Sequence, residues 1–283
     1  MTHRACDTRS MHAEATTFRD TPCIRIDSDG ATTLVALHGA HVLSWIPADG
    51  RERLFLSERA VFDGHAAIRG GIPVIFPQFS DRGLLPKHGF ARTSPWTFAG
   101  IEGDAAVFAL DGDGSRDPAW PHPFAARLRV ALDAARLTVA LDIENTGEHA
   151  FAFSAALHTY LRVDDIAGVT VEGLQGCDFE DSANGGTLHR QHDYDVTFAG
   201  EVDRIYNDIV APLALVDSTA RLDIEQDGFG DAVVWNPGAH LCARIADLAP
   251  GDWRRFVCVE AAQVLQAVVL APGDTWAGMQ RLG

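Results

Sequence analysis

Short apolar segments separated by Gly- and Asp-containing turns recur along the chain, and stretches with helical periodicity are scarce. Asp29-Gly30 and His38-Gly39 separate three such segments, which span 24–27, 32–37 and 41–46. Asp-Gly pairs are strong hairpin signals because both residues tolerate the backbone conformations of tight turns. This punctuation favours antiparallel strands over helices.

The segment 136–143 shows the strand pattern most clearly. Leu137, Val139, Leu141 and Ile143 alternate with small or polar residues, which is the period of a strand with one buried face. Further candidate strands span 96–100, 105–110, 150–163, 168–172, 204–210, 213–217, 220–226, 231–235, 254–259 and 264–270. Many short strands with regular turns predict an all-β protein, a large antiparallel β-sandwich that forms one domain over residues 23–283.

Composition excludes several classes of protein. The formal charge is −16, with 39 acidic against 23 basic residues, which argues against a nucleic-acid partner. No apolar run approaches the ~20 residues of a membrane span. Residues 1–22 are polar and lack the apolar core of a signal peptide, so we expect a flexible leader. The five scattered cysteines form no CxxC pair, which favours reduced thiols and a cytoplasmic protein.

Residues 63–92 form a cationic segment in this acidic chain, with four basic residues against two acidic ones. Gly70-Gly71 can adopt positive φ and lets a ligand approach the main chain. Three prolines disfavour a long helix or a central strand. A rigid cationic loop is typical of an anion-binding site, whereas the alternative is a surface loop with ordinary solvated side chains.

Two residues could carry acid–base chemistry. His158 shares a strand face with Ala152, Ser154 and Ala156, which leaves room for a ligand, although a core histidine bonded to a carbonyl is an alternative. Glu260 follows an apolar run that indicates a central strand. A carboxylate buried there is costly unless it is paired, but Glu260 could also lie at a solvated strand end.

Several motifs, in order, resemble those of the hexose-6-phosphate mutarotases (glucose-6-phosphate 1-epimerases), within the galactose-mutarotase-like superfamily. The resemblance covers roughly residues 24–282. It rests on the following segments: IRGGIPVIFPQF and PKHGFAR within 63–92, ALHTYL at 156–161, VDRIY at 202–206, VVWNP at 233–237 and CVEAAQV at 258–264. Ser80, Lys87 and Gly238 depart from the usual residues of the family, which bears on substrate preference.

The resemblance implies a β-supersandwich and a cofactor-independent enzyme that interconverts the α and β anomers of a D-hexose 6-phosphate, with glucose 6-phosphate as the best candidate. His158 would be the acid and Glu260 the base that open and close the sugar ring. The substrate would be bound by Arg69, Lys87, His88, Arg92 and Asp203. We expect no metal or other cofactor, no nucleic-acid or membrane partner, and a monomer.

Other interpretations stay open on sequence alone. The chain could be an aldose 1-epimerase for unphosphorylated sugars, or a non-catalytic protein that binds sugar phosphates. Asp203 could be a turn residue paired with Arg204, and Gln78 and Trp235 could be core or site residues. His122, and the pair His189 and His192 in an expected polar turn, lack the partners that a metal site requires.

Overall fold

The structure is a computed structural model that describes residues 11–217 and 220–283. Within these residues the first ten strands are β1 (His12–Phe18), β2 (Thr21–Ser28), β3 (Ala31–Ala36), β4 (His41–Ile46), β5 (Val74–Ile75), β6 (Thr97–Glu102), β7 (Ala105–Asp113), β8 (Pro123–Leu132), β9 (Leu137–Asn145) and β10 (Phe151–Leu157). The next ten are β11 (Tyr160–Arg162), β12 (Thr170–Glu172), β13 (Asp178–Asp181), β14 (Thr187–Arg190), β15 (Val202–Tyr206), β16 (Leu213–Val216), β17 (Arg221–Asp227), β18 (Asp231–Asn236), β19 (Phe256–Leu270) and β20 (Thr275–Leu282). Helical structure comprises α1 (Gly238–Cys242) and short 3₁₀ turns at Ala91–Thr93, Ile166–Gly168, Ser182–Asn184 and Asp252–Arg254.

The strands form three sheets. A four-stranded sheet has the order β1-β2-β3-β4. The site sheet has the order β14-β13-β15-β18-β19-β10-β5, with β11 also paired to β19, and the back sheet has the order β12-β16-β17-β20-β9-β8-β7-β6. All of these strand pairs are antiparallel, from β1 with β2 to β8 with β9. The predicted all-β antiparallel sandwich is confirmed.

One apolar core joins the three sheets. In β9 the predicted alternation is observed, since Leu137, Val139, Leu141 and Ile143 are all buried. They share a core with residues of the four-stranded sheet and with one face of the site sheet. Because burial of apolar area is the main favourable term in folding, this shared core holds the sheets face to face.

The strand β19 lies in the middle of the site sheet, as its apolar sequence predicts. Val257, Val259 and Ala261 belong to the shared core, whereas Cys258 lies in a separate apolar cluster on the other side. We call that other side the outer face. Glu260, two residues after Cys258, therefore also leaves the sheet on the outer face, since successive side chains of a strand alternate.

Two expectations about strand positions are corrected. His12–Phe18 forms β1 and pairs along its whole length with β2, so this part of the expected leader is a sheet edge; residues 1–10 lie outside the described residues. The expected polar turn around His189 is the edge strand β14, because Thr187–Arg190 extends the site sheet from β13. Strands β5, β8, β13 and β20 were not predicted at all.

The cysteines and the helices bear on the expected reduced thiols and the expected absence of a membrane span. Cys23, Cys177, Cys242 and Cys258 are free thiols, and Cys6 lies outside the described residues. Among residues 11–217 and 220–283, no helix has the length and apolar character needed to cross a membrane. Cytoplasmic location and a monomeric state stay predictions.

Candidate active site

A break between two strands places His158 beside Glu260. The expected strand over 150–163 is interrupted, and β10 and β11 both pair with β19 on either side of the gap. His158 and Thr159 occupy that gap, opposite Glu260 and Val259, and the amide of Val259 donates a 3.1 Å hydrogen bond to the Thr159 carbonyl. The side chain of His158 consequently lies on the outer face, and that of Thr159 lies between the site sheet and the back sheet.

His158 and Glu260 form a close buried pair. Nδ1 of His158 lies 3.2 Å from Oε1 of Glu260, with the side chains 10% and 1% exposed. Within the described part of the chain, Nδ1 of His158 and Oε2 of Glu260 form no hydrogen bond. Buried polar atoms normally have partners, so these two atoms are available to a ligand.

The environment favours the neutral forms of both groups. Burial raises the pKa of Glu260 well above its ordinary value, and nearby Asp203 adds to the increase. Burial lowers the pKa of His158 well below its ordinary value, and His88, Arg69 and Arg92 lower it further. The pair therefore holds one proton in total, rather than two opposite charges, and its titration belongs to the pair.

Tyr160 supports the imidazole from below. The two rings stack with centroids 4.8 Å apart and an angle of 8° between their planes. Nη1 of Arg69 donates a 2.9 Å hydrogen bond to the Tyr160 hydroxyl, and Nε of Arg69 donates to Oδ1 of Asp247 at 3.1 Å. The orientation of His158 is thus linked to a network that reaches the loop after α1.

The glycines before this region have a structural role that differs from the expected ligand approach. A Cβ on Gly70 would lie 2.4 Å from the Phe55 carbonyl oxygen, and one on Gly71 would lie 2.2 Å from that of Val42. Both glycines have positive φ. They allow close contact with neighbouring backbone, which sets the position from which Arg69 projects.

His88 is held as a neutral imidazole with a defined tautomer. The amide of Ser80 donates to Nδ1 at 3.2 Å, so the ring proton lies on Nε2. Burial and the charges of Arg92, Lys87 and Arg69 lower its pKa to about 2. Its ring centroid is 5.7 Å from that of His158, so the imidazole that carries this Nε2 proton is a neighbour of the pair.

Arg92 is a partly buried guanidinium without a carboxylate partner. Its Nη2 donates to the carbonyl of Lys87 at 2.7 Å, and its Nε is buried without a hydrogen bond. No ion pair involves it among the described residues, and burial lowers its pKa. Lys87 itself lies at the rim, 3.9 Å from Asp81 and 58% exposed. An unpaired buried cation favours an anionic ligand.

Asp203 enters the site from β15. A row of facing residues crosses the sheet from Tyr160 through Cys258 and Trp235 to Asp203. Burial raises the pKa of Asp203 to about 6. It is a strand residue rather than a turn residue, and Arg204 bonds instead to Gln191 and Tyr206.

The residues singled out from the sequence converge, but the network around them was only partly foreseen. Arg69 and Arg92 lie close enough to lower the pKa values of both His88 and His158. Gln78 has a structural role, because its amide group bonds to the backbone of Ser80 and Leu85. Asp247 carried no sequence signal, whereas Tyr160 could have been identified from its place two residues after His158.

The same pair belongs to a group of possible metal ligands. One ligand atom each from His158, Cys258 and Glu260 lies within 4.8 Å of the others. Elsewhere in residues 11–217 and 220–283 no such group of three exists, and none includes His122, His189 or His192.

On the outer face of the antiparallel sandwich, a buried His–Glu pair thus lies beside the guanidinium of Arg92, which has no carboxylate partner among the described residues. Residues 22–283 match the aldose 1-epimerase family, and the chain belongs to that family. It is therefore an isomerase with sugar mutarotase activity, acting on small sugar molecules.

Individual relatives agree with this assignment. The chain is 36% identical over 249 residues to the Escherichia coli K12 protein named "Putative glucose-6-phosphate 1-epimerase", covering 84% of this chain and 82% of that protein. A Cenchrus ciliaris protein with the same name is 35% identical over 261 residues, or 86% and 78% of the two chains. The solved structure of YeaD from Salmonella typhimurium, described as a "putative mutarotase", superposes with a TM-score of 0.87 at 30% identity, covering 95% and 92% of the two chains.

Proposed function

We propose that this enzyme interconverts the α and β anomers of a D-hexose 6-phosphate, with glucose 6-phosphate as the preferred candidate. The observation that carries the proposal is the buried His158–Glu260 pair on one face of the sheet, with the unpaired guanidinium of Arg92 beside it. The pair supplies an acid and a base, and the guanidinium supplies a site for a phosphate. The names of the E. coli and C. ciliaris relatives support the same substrate.

In the proposed mechanism the sugar accepts a proton from His158 and gives one to Glu260, so the pair keeps one proton in total. Glu260 accepts the proton of the anomeric hydroxyl while His158 protonates the ring oxygen, and the bond between that oxygen and C1 breaks. The open aldehyde rotates about its C1–C2 bond. Ring closure from the other face returns the two protons, Glu260 now acting as acid and His158 as base.

The protonation state of the empty site suits this cycle. The active closed-ring state needs protonated His158 and ionised Glu260, and the open-ring state has the proton on Glu260. Both contain one proton, which is the number that burial favours for the pair. Proton transfer through the sugar then leaves the net charge of the site unchanged, because it converts protonated His158 and ionised Glu260 into their neutral forms.

The remaining residues position the sugar. We assign Arg92 and Arg69 to the phosphate, since a guanidinium offers a planar fork to phosphate oxygens, with Lys87 as an added charge at the rim. His88 donates from Nε2 to a sugar oxygen, and Asp203 accepts from a sugar hydroxyl. Arg69 is already bonded to Tyr160 and Asp247, so Arg92 is the main phosphate ligand in this proposal.

The phosphate assignment is tested by anomer exchange on glucose 6-phosphate and on glucose with Arg92→Ala. Arg254→Ala is the control, because Arg254 is exposed, forms an ion pair with Asp165 at the surface and lies over the ring of Trp253. We expect Arg92→Ala to lose exchange on the phosphate ester by about 10–100-fold, the equivalent of one or two charged hydrogen bonds, and to leave glucose unaffected. Equal loss on both sugars would instead favour an aldose 1-epimerase for free sugars.

A further inference from the structure

The outer face of β19 places a thiol beside the acid–base pair. Cys258 precedes Glu260 by two residues, so both side chains leave the same face of the strand. Cys258 is fully buried, and its sulfur lies within 4.8 Å of the ligand atoms of His158 and Glu260. The sugar mechanism uses His158 and Glu260 and assigns no step to this thiol.

The separations suit a small tetrahedral ion. Zn²⁺ binds imidazole nitrogen, thiolate and carboxylate oxygen at ~2.0–2.3 Å, so neighbouring ligands in a tetrahedron lie about 3.3–3.8 Å apart. Nδ1 of His158 and Oε1 of Glu260 are already 3.2 Å apart. A rotation of the Cys258 side chain that shortens its contacts to the other two atoms would complete three of the four positions.

The unsatisfied atoms point to a ligand at this place. Nδ1 of His158 and Oε2 of Glu260 are buried and form no hydrogen bond within the described part of the chain. On binding, the Cys258 thiol and the His158–Glu260 pair would each release one proton to solvent, and the resulting thiolate and carboxylate would together neutralise the divalent ion. A thiolate in the donor set selects Zn²⁺ over Mg²⁺ or Ca²⁺, which prefer oxygen.

We propose that His158, Cys258 and Glu260 form an inhibitory Zn²⁺ site. The bound ion occupies Nδ1 of His158 and the carboxylate of Glu260, so neither can exchange a proton with a sugar. Zn²⁺ and sugar phosphate therefore exclude each other. The binding part of this inference is independent of the proposed function, and only the inhibition part rests on it.

Binding is tested with Co²⁺ as a spectroscopic substitute for Zn²⁺, on the reduced full-length protein. We expect one Co²⁺ per chain and a near-ultraviolet thiolate-to-cobalt absorption, which added Zn²⁺ or glucose 6-phosphate removes. The absorption should be lost in Cys258→Ala and kept in Cys242→Ala, a matched variant of another buried cysteine on the same side of the sheet. Cys258→Ser, which nearly preserves side-chain volume, should lose the absorption as well.

Two results would overturn the site. One is an absorption of equal strength in Cys258→Ala, which would place the ion on another thiol. The other is a wild-type protein that folds normally and shows no thiolate–cobalt absorption at any Co²⁺ concentration up to precipitation. In neither case would the anomerase activity measured in chelator be in question.

Inhibition is then measured as the Zn²⁺ concentration that halves anomer exchange, relative to each variant's own rate in chelator. The wild type and Cys242→Ala should show the same value, and Cys258→Ala a value at least about 10-fold higher, since one of three protein ligands is lost. Raising glucose 6-phosphate should raise the wild-type value in proportion. An unchanged value in Cys258→Ala would contradict the proposal.

Discussion

Gln280 accepts a 2.5 Å hydrogen bond from the hydroxyl of Thr159 and thereby joins the back sheet to the site sheet beneath the His158–Glu260 pair. The amide of Gln280 also donates to the carbonyl of Val259 at 3.0 Å. Thr159 and Val259 are the chain neighbours of His158 and Glu260. One buried side chain therefore bridges the two backbone segments that set the 3.2 Å separation between Nδ1 and Oε1.

Thr159→Val tests this bridge, because valine has the same shape but leaves the Gln280 oxygen without its donor. We expect a loss of about 1–3 kcal/mol in the free energy of unfolding, the usual penalty of a buried unsatisfied group. We also expect slower anomer exchange, since the pair would be less well positioned. Urea unfolding and exchange rates measure the two effects.

The control is Thr33→Val. Thr33 is equally buried and donates to the Ser44 carbonyl at 2.7 Å, in the four-stranded sheet. It should lower stability without changing the exchange rate of the folded enzyme. If Thr159→Val leaves the rate as unchanged as Thr33→Val does, then the bridge has no positioning role.

The pH dependence of exchange should reveal a pair that works with one proton. Burial opposes a second proton, because the pKa of His158 is lowered, and opposes loss of the last proton, because the pKa of Glu260 is raised. The rate should therefore be level across neutral pH and fall on both the acid and the alkaline side. The uncatalysed rate at each pH is subtracted. A single acid limb centred on the ordinary glutamate pKa would show that the two groups titrate independently.

His88 should contribute through its Nε2 proton rather than through packing. His88→Asn keeps an acceptor for the Ser80 amide and tolerates the positive φ at this position, but removes the Nε2 donor. We expect it to fold normally and to lose about 10–100-fold in exchange rate. His88→Gln, which can place a donor near Nε2, should recover part of that loss. A fully active His88→Asn would exclude the proposed hydrogen bond.

Asp203, which we propose binds a sugar hydroxyl, should lower the stability of the folded protein at neutral pH. Its pKa is about 6 in the folded protein against 3.8 ordinarily, so the unfolded state is favoured as pH rises through this interval. The penalty is absent below about pH 4 and complete above about pH 6, and reaches at most about 3 kcal/mol. Asp203→Asn should thus gain stability over the wild type at pH 8 but not at pH 4, while losing activity.

Urea midpoints at the two pH values measure this difference. Asp104→Asn, in the exposed turn between β6 and β7, is the control for the loss of one negative charge. A gain for Asp203→Asn that is the same at both pH values would show that ionisation of Asp203 is not its source.

The sequence predicted the class of fold because strand periodicity and turn residues are local signals. The segment 137–143 shows both, and it is β9. The strand β8 was missed because its buried positions alternate with Arg127 and Arg129, whose stems and charges lie on the exposed face and reduce the apolar signal. Strand β1 was missed because an edge strand with a mostly exposed surface has little apolar content.

The sequence identified His158 and Glu260 as acid–base candidates but did not predict that their side chains lie next to each other. His158 and Glu260 come together because β10 stops at Leu157 and the chain resumes pairing at Tyr160, a break that no periodicity indicated. Contacts between distant segments, such as Arg69 with Asp247, depend on the folded topology. Such contacts have no local signature from which they could have been predicted.

Anomer exchange on glucose 6-phosphate, measured by saturation-transfer NMR, tests the central claim most directly. The comparison is Glu260→Gln, which keeps the shape of the side chain but removes the base. The account predicts exchange well above the uncatalysed rate in the wild type, faster on the phosphate ester than on glucose, and lower by about 10²–10⁴-fold in the variant. Exchange that persists in Glu260→Gln, or a wild type no faster than solvent, would contradict it.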